Sequence, residues 1–293
     1  MMLRVHVCAV VPALVLALVF TSIVAPTVYA SNASSVLSSQ WNFVWYQKMV
    51  KGALTGYINE CSVESGYPTH DAWGSTTSDS IDKAAFGYDA TFVITFYEGH
   101  GDNTTGDDGK AHYVIANDAG GLVWDNESFY SNTFGRSHFA FLWSCEQGDV
   151  IGQMYSSGDP YGMPFAWTHK DSNTLSPDGY TNPYPTGFAF ISFNGAGPTL
   201  DYDYCQGYYF AAYFYQCAFE ANYTLNNALD YAAYQVWYCS YSLCPYRTGF
   251  VLDGSPGKMV IYGDGALQIG YASALPQPPL PPQLGGGKPG NPN

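Results

Sequence analysis

Positive charge is scarce in this chain. Ten lysines and arginines are spread over 293 residues, and all charged residues together make up 12%. That is too few bases to line a nucleic-acid groove. The 24 acids bring the net charge to −14, yet they are too thinly spread for a halophile-type surface. Metal-ligand spacing is missing as well: no Cys-x-x-Cys or His-x-x-x-His occurs, so no metal site is expected. No internal repeat is visible, and past the first thirty residues no apolar run is long enough to span a bilayer. Aromatic residues, by contrast, reach 17%. A surface rich in tyrosine, serine and glycine with pI near 4.5 suits an acidic or extracellular setting.

Residues 1–30 read as a signal peptide, with an uncleaved membrane anchor as the alternative, against which Pro12 and Pro26 argue. Arg4 gives a basic start, Val7–Val24 is apolar, and Val28-Tyr29-Ala30 offers a small-x-small cleavage site before Ser31. The mature chain is therefore expected to be secreted or at the cell surface, with no stable membrane span after signal removal. Its length, about 260 residues, suits one α/β domain with a small extension. Outside the leader stand Cys61, Cys145, Cys205, Cys217, Cys239 and Cys244. Six would allow an all-disulfide framework, the structural alternative for Cys145; Cys239 and Cys244, flanking a short loop, are the best candidates for a bridge. Asn32, Asn103, Asn126 and Asn222 begin Asn-x-Ser/Thr triplets and are candidate glycan acceptors.

Two stretches carry most of the information. Phe92–Gly101 (FVITFYEGHG) and Phe139–Gly148 (FAFLWSCEQG) are apolar runs of strand length, the first ending in His100 and the second in Cys145. A run apolar on both faces reads as a central strand of a covered parallel sheet. Ligands bind such sheets beyond the carboxyl ends of the strands. A histidine and a cysteine at two such ends would share one crevice, where a base can activate a thiol. Their separation, 145 − 100 = 45 residues, is close to the roughly 50 found in caspases.

On these residues the chain resembles the caspase–hemoglobinase (clan CD) superfamily of cysteine peptidases, whose shared pattern is a strand ending in His-Gly and a later strand ending in a small residue and Cys. It is most similar to the gingipain-like branch: Cys145-Glu146-Gln147-Gly148-Asp149 resembles that branch's Cys-x-x-Gly-Asp turn, and Met259–Leu267 its closing Tyr-Gly-Asp-Pro-x-Leu strand, with Gly265 in place of proline. The resemblance implies a three-layer αβα sandwich with a mainly parallel central sheet and a His100/Cys145 dyad working through an acyl-enzyme without a cofactor. The N–H groups of Gly101 and Cys145 would form the oxyanion hole. Trp143, Ser192, Phe193, Asn194 and Gly195 would line the substrate pocket for a peptide or protein. Trp143 stands where some relatives carry an Asp that holds a basic side chain. The expectation is therefore no strict Arg/Lys preference, with packing under a helix as the other reading of Trp143. Glu98 is a further candidate for tuning His100. A transpeptidase or transamidase on the same dyad, or a non-enzymatic surface binding protein that keeps the fold, are the alternatives.

The remaining expectations are coarser. Residues 31–84 read as an N-terminal extension, with a polar lead-in to Ser39, a helix or strand over Trp41–Ile58, and irregular chain over Cys61–Tyr88. The catalytic domain would run over 85–270. The tip Asp102–Gly109 has the look of a calcium loop, but Tyr113 occupies the place of the twelfth-position acid, so solvated turn residues are expected. Met163–Thr168 and Gly187–Phe193 read as strands around a Pro-containing surface loop, Thr174–Thr186. Gly207–Ala221 and Asn226–Trp237 read as helices, the second with Leu225, Leu229, Ala232 and Val236 on one face. Lys258–Ile269 reads as a final strand pair, and 271–293 as a Pro/Gly-rich tail.

Overall fold

The computed structural model describes residues 32–281, apart from segments 72–75, 87–89, 134–136 and 171–174 and positions 91, 159, 176, 184, 186, 222, 271, 273 and 274. The leader expected over 1–30, the end of the tail and the Asn222 triplet lie outside the described residues. Seven strands make the main sheet, in the order β11-β12-β10-β7-β3-β1-β2. These are β1 (Asn32–Ser38), β2 (Thr69–Asp71), β3 (Phe92–Glu98), β7 (Ser137–Trp143), β10 (Ala189–Gly195), β11 (Phe250–Leu252) and β12 (Ser255–Gly263). The first five run parallel, and the β11–β12 hairpin closes one edge antiparallel.

Alternation along the strands fills two cores. Ile94 and Phe96 of β3, with Phe139, Phe141 and Trp143 of β7, face α1 (Trp45–Glu64), α5 (Tyr202–Phe219) and α6 (Leu225–Trp237). Tyr97, Ala140 and Leu142 face the opposite way, toward α2 (Ser78–Phe86), α3 (Glu127–Thr133) and α4 (Met163–Thr168). The result is a three-layer αβα sandwich, as the two apolar runs imply. Among the described residues no helix is long and apolar enough to cross a membrane.

Several expectations are corrected. Residues 32–84 are no irregular extension: they supply β1, a central strand, and two packed helices. The polar look of β1 misleads because its buried serines find partners in the fold, as when Ser34 Oγ donates to the Tyr67 carbonyl. From Trp45 onward the stretch Trp41–Ile58 is helix, with Val50, Leu54, Tyr57, Ile58 and Cys61 buried on one face of α1. Met163–Thr168 is a helix rather than a strand. Pro164 falls in its first turn, where a missing N–H costs no hydrogen bond, and all six residues are buried, so no alternation marks the period. Within Lys258–Ile269 only the end of β12, as far as Gly263, is strand; its hairpin partner, β11, precedes it. The tip after Gly101 is a three-stranded antiparallel sheet of β4 (Gly101–Thr105), β5 (Ala111–Ala116) and β6 (Leu122–Trp124), and β8 (Ile151–Met154) and β9 (Pro160–Tyr161) pair separately. In it Asp108 accepts from the Lys110 N–H and contacts His112. The Cys239–Cys244 bridge does not form. A 3-10 turn, Tyr241–Leu243, lies between them and Cys244 faces the core; all six cysteines outside the leader carry free thiols. Two of the candidate glycan asparagines are already engaged: Asn126 accepts from the Phe129 N–H, and Asn103 donates to Glu146.

Candidate active site

β3 and β7 are neighbours with Glu98 opposite Trp143, and the Gly99 N–H donates to the Trp143 carbonyl at 3.3 Å. Two residues further along each chain, past the carboxyl ends of the two strands, come His100 and Cys145. β10 ends at the same edge, where the Glu146 N–H donates to the Gly195 carbonyl at 2.7 Å. Parallel register therefore carries both predicted catalytic residues to one edge of the sheet, where the imidazole meets Phe43 and Trp41 and the sulfur meets Gly197.

The imidazole of His100 lies in an aromatic slot. It stacks on Phe43 (4.3 Å between centroids, 15° between planes) and meets the edge of Trp41 (5.7 Å, 84°). Its Nε2 is buried and has no hydrogen-bond partner. Burial first, then the nearby Lys51 ammonium, hold its pKa below the usual histidine value. Lys51 Nζ sits 3.1 Å from the centroid of the same Phe43 ring, 2.8 Å from Glu98 Oε2 and 2.9 Å from the Ser39 carbonyl. Glu98 thus engages Lys51, a residue whose part sequence reasoning missed. Burial pushes both members of this pair toward their neutral forms, and their mutual attraction opposes it. The one hint in the sequence is a lysine inside the apolar stretch Val50–Leu54.

Cys145 is partly exposed. Its sulfur accepts from the Gly197 N–H at 3.2 Å and lies 3.7 Å from the Gly197 carbonyl. Burial is the main cause lifting its pKa, with the carboxylates of Glu146 and Asp102 adding to it; the Gly197 N–H pulls the other way. The turn that holds the sulfur is tightly determined. Glu146 takes a left-handed φ of 61°. Gln147, fully buried, donates to the carbonyls of Val114 and Cys145 at 3.1 and 2.9 Å. A Cβ on Gly148 would stand 2.5 Å from Val260 Cγ2 and 3.0 Å from the Phe193 carbonyl carbon, so only glycine fits. Asp149 accepts from the Gly195 N–H at 3.0 Å, tying the Cys-x-x-Gly-Asp turn to β10.

Two backbone donors belong to the cysteine turn and the strand packed on it. The Cys145 N–H donates to no other residue's backbone among the described residues. In an antiparallel pair, bonded and non-bonded residue pairs alternate. Because the Ala116 N–H donates to the His100 carbonyl at 3.0 Å, the next pair, Gly101 and Ile115, is the non-bonded one. The Gly101 N–H therefore points away from β5. A Cβ at Gly101 would meet Ser144 Oγ at 2.4 Å and the Cys145 carbonyl oxygen at 2.5 Å, so this backbone is packed against the cysteine turn.

The expected pocket residues divide. Asn194 and Gly195 reach the surface. Trp143, Ser192 and Phe193 are buried. Trp143 belongs to the aromatic core with Phe141, Phe193, Phe210 and Tyr246, and its indole N–H donates to the Pro198 carbonyl. Ser192 Oγ donates to the Leu142 carbonyl at 2.6 Å. Among the described residues no group of three or more His, Cys, Asp or Glu side chains could hold a metal ion.

No protein-family model matches the chain, and no curated protein matches it in sequence. Among solved structures it is similar to caspase-1 from Spodoptera frugiperda, with 10% identity and a TM-score of 0.41 over 70% of this chain and 76% of that one. A second, described only as a protease, aligns with 10% identity and a TM-score of 0.47 over 82% of this chain. This chain spans about half of that one, 48%.

Proposed function

We propose that this protein is a cysteine endopeptidase of the caspase-like, gingipain-resembling kind, exported by its first thirty residues and acting outside the cytoplasm. One observation carries the reading. The partly exposed Cys145 thiol and the His100 imidazole, whose buried Nε2 has no protein partner, each follow the carboxyl end of one of two adjacent parallel strands by two residues.

His100 takes the thiol proton as the Cys145 sulfur attacks the peptide carbonyl carbon. The oxyanion that develops is received by the N–H groups of Gly101 and Cys145. As the C–N bond breaks, His100 returns the proton to the leaving amine. Water then attacks the thioester, with His100 again accepting a proton, and frees the sulfur. Asn194 and Gly195, at the surface end of β10, border the acyl side.

Labelling the purified mature protein with a peptide electrophile that modifies thiols tests this reading. The label is expected on Cys145, with cleavage of an unfolded protein substrate lost in Cys145→Ala and in His100→Ala. Cleavage by Cys145→Ala at the parent rate would overturn it. Product analysis with an added amine separates hydrolysis from transfer to an amine, and absence of both would favour a non-enzymatic binding role.

A further inference from the structure

Beside His100 lies a cavity of about 320 Å³ whose walls include His100, Gly101 and Asp102 but not Cys145. Its remaining walls are apolar at Trp41 and Leu122, 38% and 40% exposed at the rim, and at Val114 and Ala116 on the floor, with Asn42 and Thr104 as polar members. The position of this cavity relative to the reacting atoms has a chemical meaning. During acylation the carbonyl side of the cut bond becomes attached to the Cys145 sulfur, while the amine departs with the proton that His100 carries. A cavity that shares the imidazole and excludes the sulfur adjoins the amine side, with Gly101, packed against the cysteine turn, as the wall it shares with the oxyanion site.

We infer that this cavity receives the side chain of the residue immediately following the cut bond, and that it selects a large apolar side chain there and rejects an acidic one. The inference rests on the peptidase reading above and adds the substrate class to it. A volume of about 320 Å³ is at the small end of ligand pockets, fitting one side chain rather than a longer segment. The rim is built rather than incidental. A Cβ on Gly120 would stand 2.6 Å from the Trp41 indole nitrogen, so the glycine in the β5–β6 turn is what lets the indole lie there. The floor is fixed as well, since Tyr97 Oη donates to the Ala116 carbonyl at 2.6 Å and to the His100 carbonyl at 3.2 Å. Asp102 at the mouth, with Glu146 close by through its contact with Asn103, repels a carboxylate.

The test is to digest a randomised peptide pool with the mature protein and sequence the new amino termini. Leu, Ile, Met and Phe are expected to be enriched on the order of tenfold over Gly, the range a hydrophobic pocket gives, with Asp and Glu depleted. Leu122→Asp is expected to lower that enrichment to less than twofold and to raise Lys and Arg. Termini that are equally abundant with Cys145→Ala would sink the peptidase reading itself. Termini that depend on Cys145 but show no apolar enrichment, or that keep it unchanged in Leu122→Asp, would overturn this inference alone. A second measurement needs no turnover. Leucinamide, which mimics the released amine, is expected to shift the indole N–H resonance of Trp41 in the Cys145→Ala protein at millimolar concentration, where glycinamide does not. Equal shifts from the two amides, or none from either, would overturn the inference whatever the digest shows.

Discussion

Burial raises the Cys145 thiol above its usual 9.0 and lowers the His100 imidazole below its usual 6.5, so both groups rest uncharged at neutral pH. Proton transfer then accompanies attack instead of preceding it, and His100 works as a general base. The sign follows directly. A histidine held below 6.5 stays unprotonated further into acid, so the acid limb of kcat/KM is expected below pH 6.5. Alkylation of Cys145 by iodoacetamide is expected to have its midpoint above pH 9. A midpoint near neutrality would mean a preformed thiolate and contradict this account. Gly101 gives a second expectation at the same scale. Its missing Cβ keeps the N–H beside the cysteine turn, and Gly101→Ala would collide with the Cys145 carbonyl oxygen at 2.5 Å. Displacing one oxyanion donor costs about 10²–10³ in kcat. Substrate turnover by a Gly101→Ala protein with a native circular dichroism spectrum checks it, and a rate within threefold of the parent would remove Gly101 from the oxyanion site.

Elements carry a different kind of constraint. α1 is joined to β3 by the Lys51–Glu98 pair, whose side chains are 2% and 3% exposed. Breaking one member of such a pair strands the other as a buried charge, which costs about 3–5 kcal/mol. Lys51→Met is therefore expected to lower stability by that order in urea unfolding, and Lys51→Met with Glu98→Gln to recover part of the loss. Additive losses in the double variant would show that the two do not act as a pair. The same pair shows where the sequence was legible and where it was not. β3 and β7 were readable because both of their faces are apolar, and their order placed His100 and Cys145 at one edge. β1 hides because three of its six buried positions are serines, with Ser34 satisfied by chain as distant as Tyr67 and Thr69. α4 differs from the expected strand because six consecutive buried residues have no period. Trp143 illustrates the limit for the site. Its place two residues before the cysteine was plain, but strand alternation turns the indole away from solvent, into the layer under α5. Lys51, Phe43 and Trp41 reach His100 only through the packing of α1 and the loop before it, which no local pattern announces.

At the scale of the whole molecule, the buried acids decide how stability responds to pH. Asp125, fully buried and bonded to His112 Nδ1 at 2.9 Å, is raised from 3.8 to about 6, chiefly by burial. Glu98, Asp149 and Asp82 are raised too, burial again the largest cause. A carboxylate raised on folding binds its proton in the native state before the unfolded chain does. Between 3.8 and about 6 the native state therefore holds more protons, and stability rises as pH falls through that window. His100, lowered, and Asp108, held down by the Lys110 N–H, oppose this trend. Four raised acids outnumber them, and protonation also reduces the self-repulsion of a chain with net charge −14. The melting temperature is thus expected to be higher at pH 5 than at pH 7, by about 2–4 °C for each kcal/mol gained. Asp125 alone, moving from 3.8 to about 6, sets a ceiling of about 3 kcal/mol on its own share. Asp125→Asn keeps an oxygen to accept from His112 and cannot ionise, so it is expected to flatten the rise and to be at least as stable as the parent at pH 7. Calorimetric melts of both proteins from pH 4 to 7.5 decide the matter. A parent whose melting temperature falls steadily from pH 7 to pH 5, or a variant with an undiminished rise, would show that Asp125 and the other buried acids do not set the pH response.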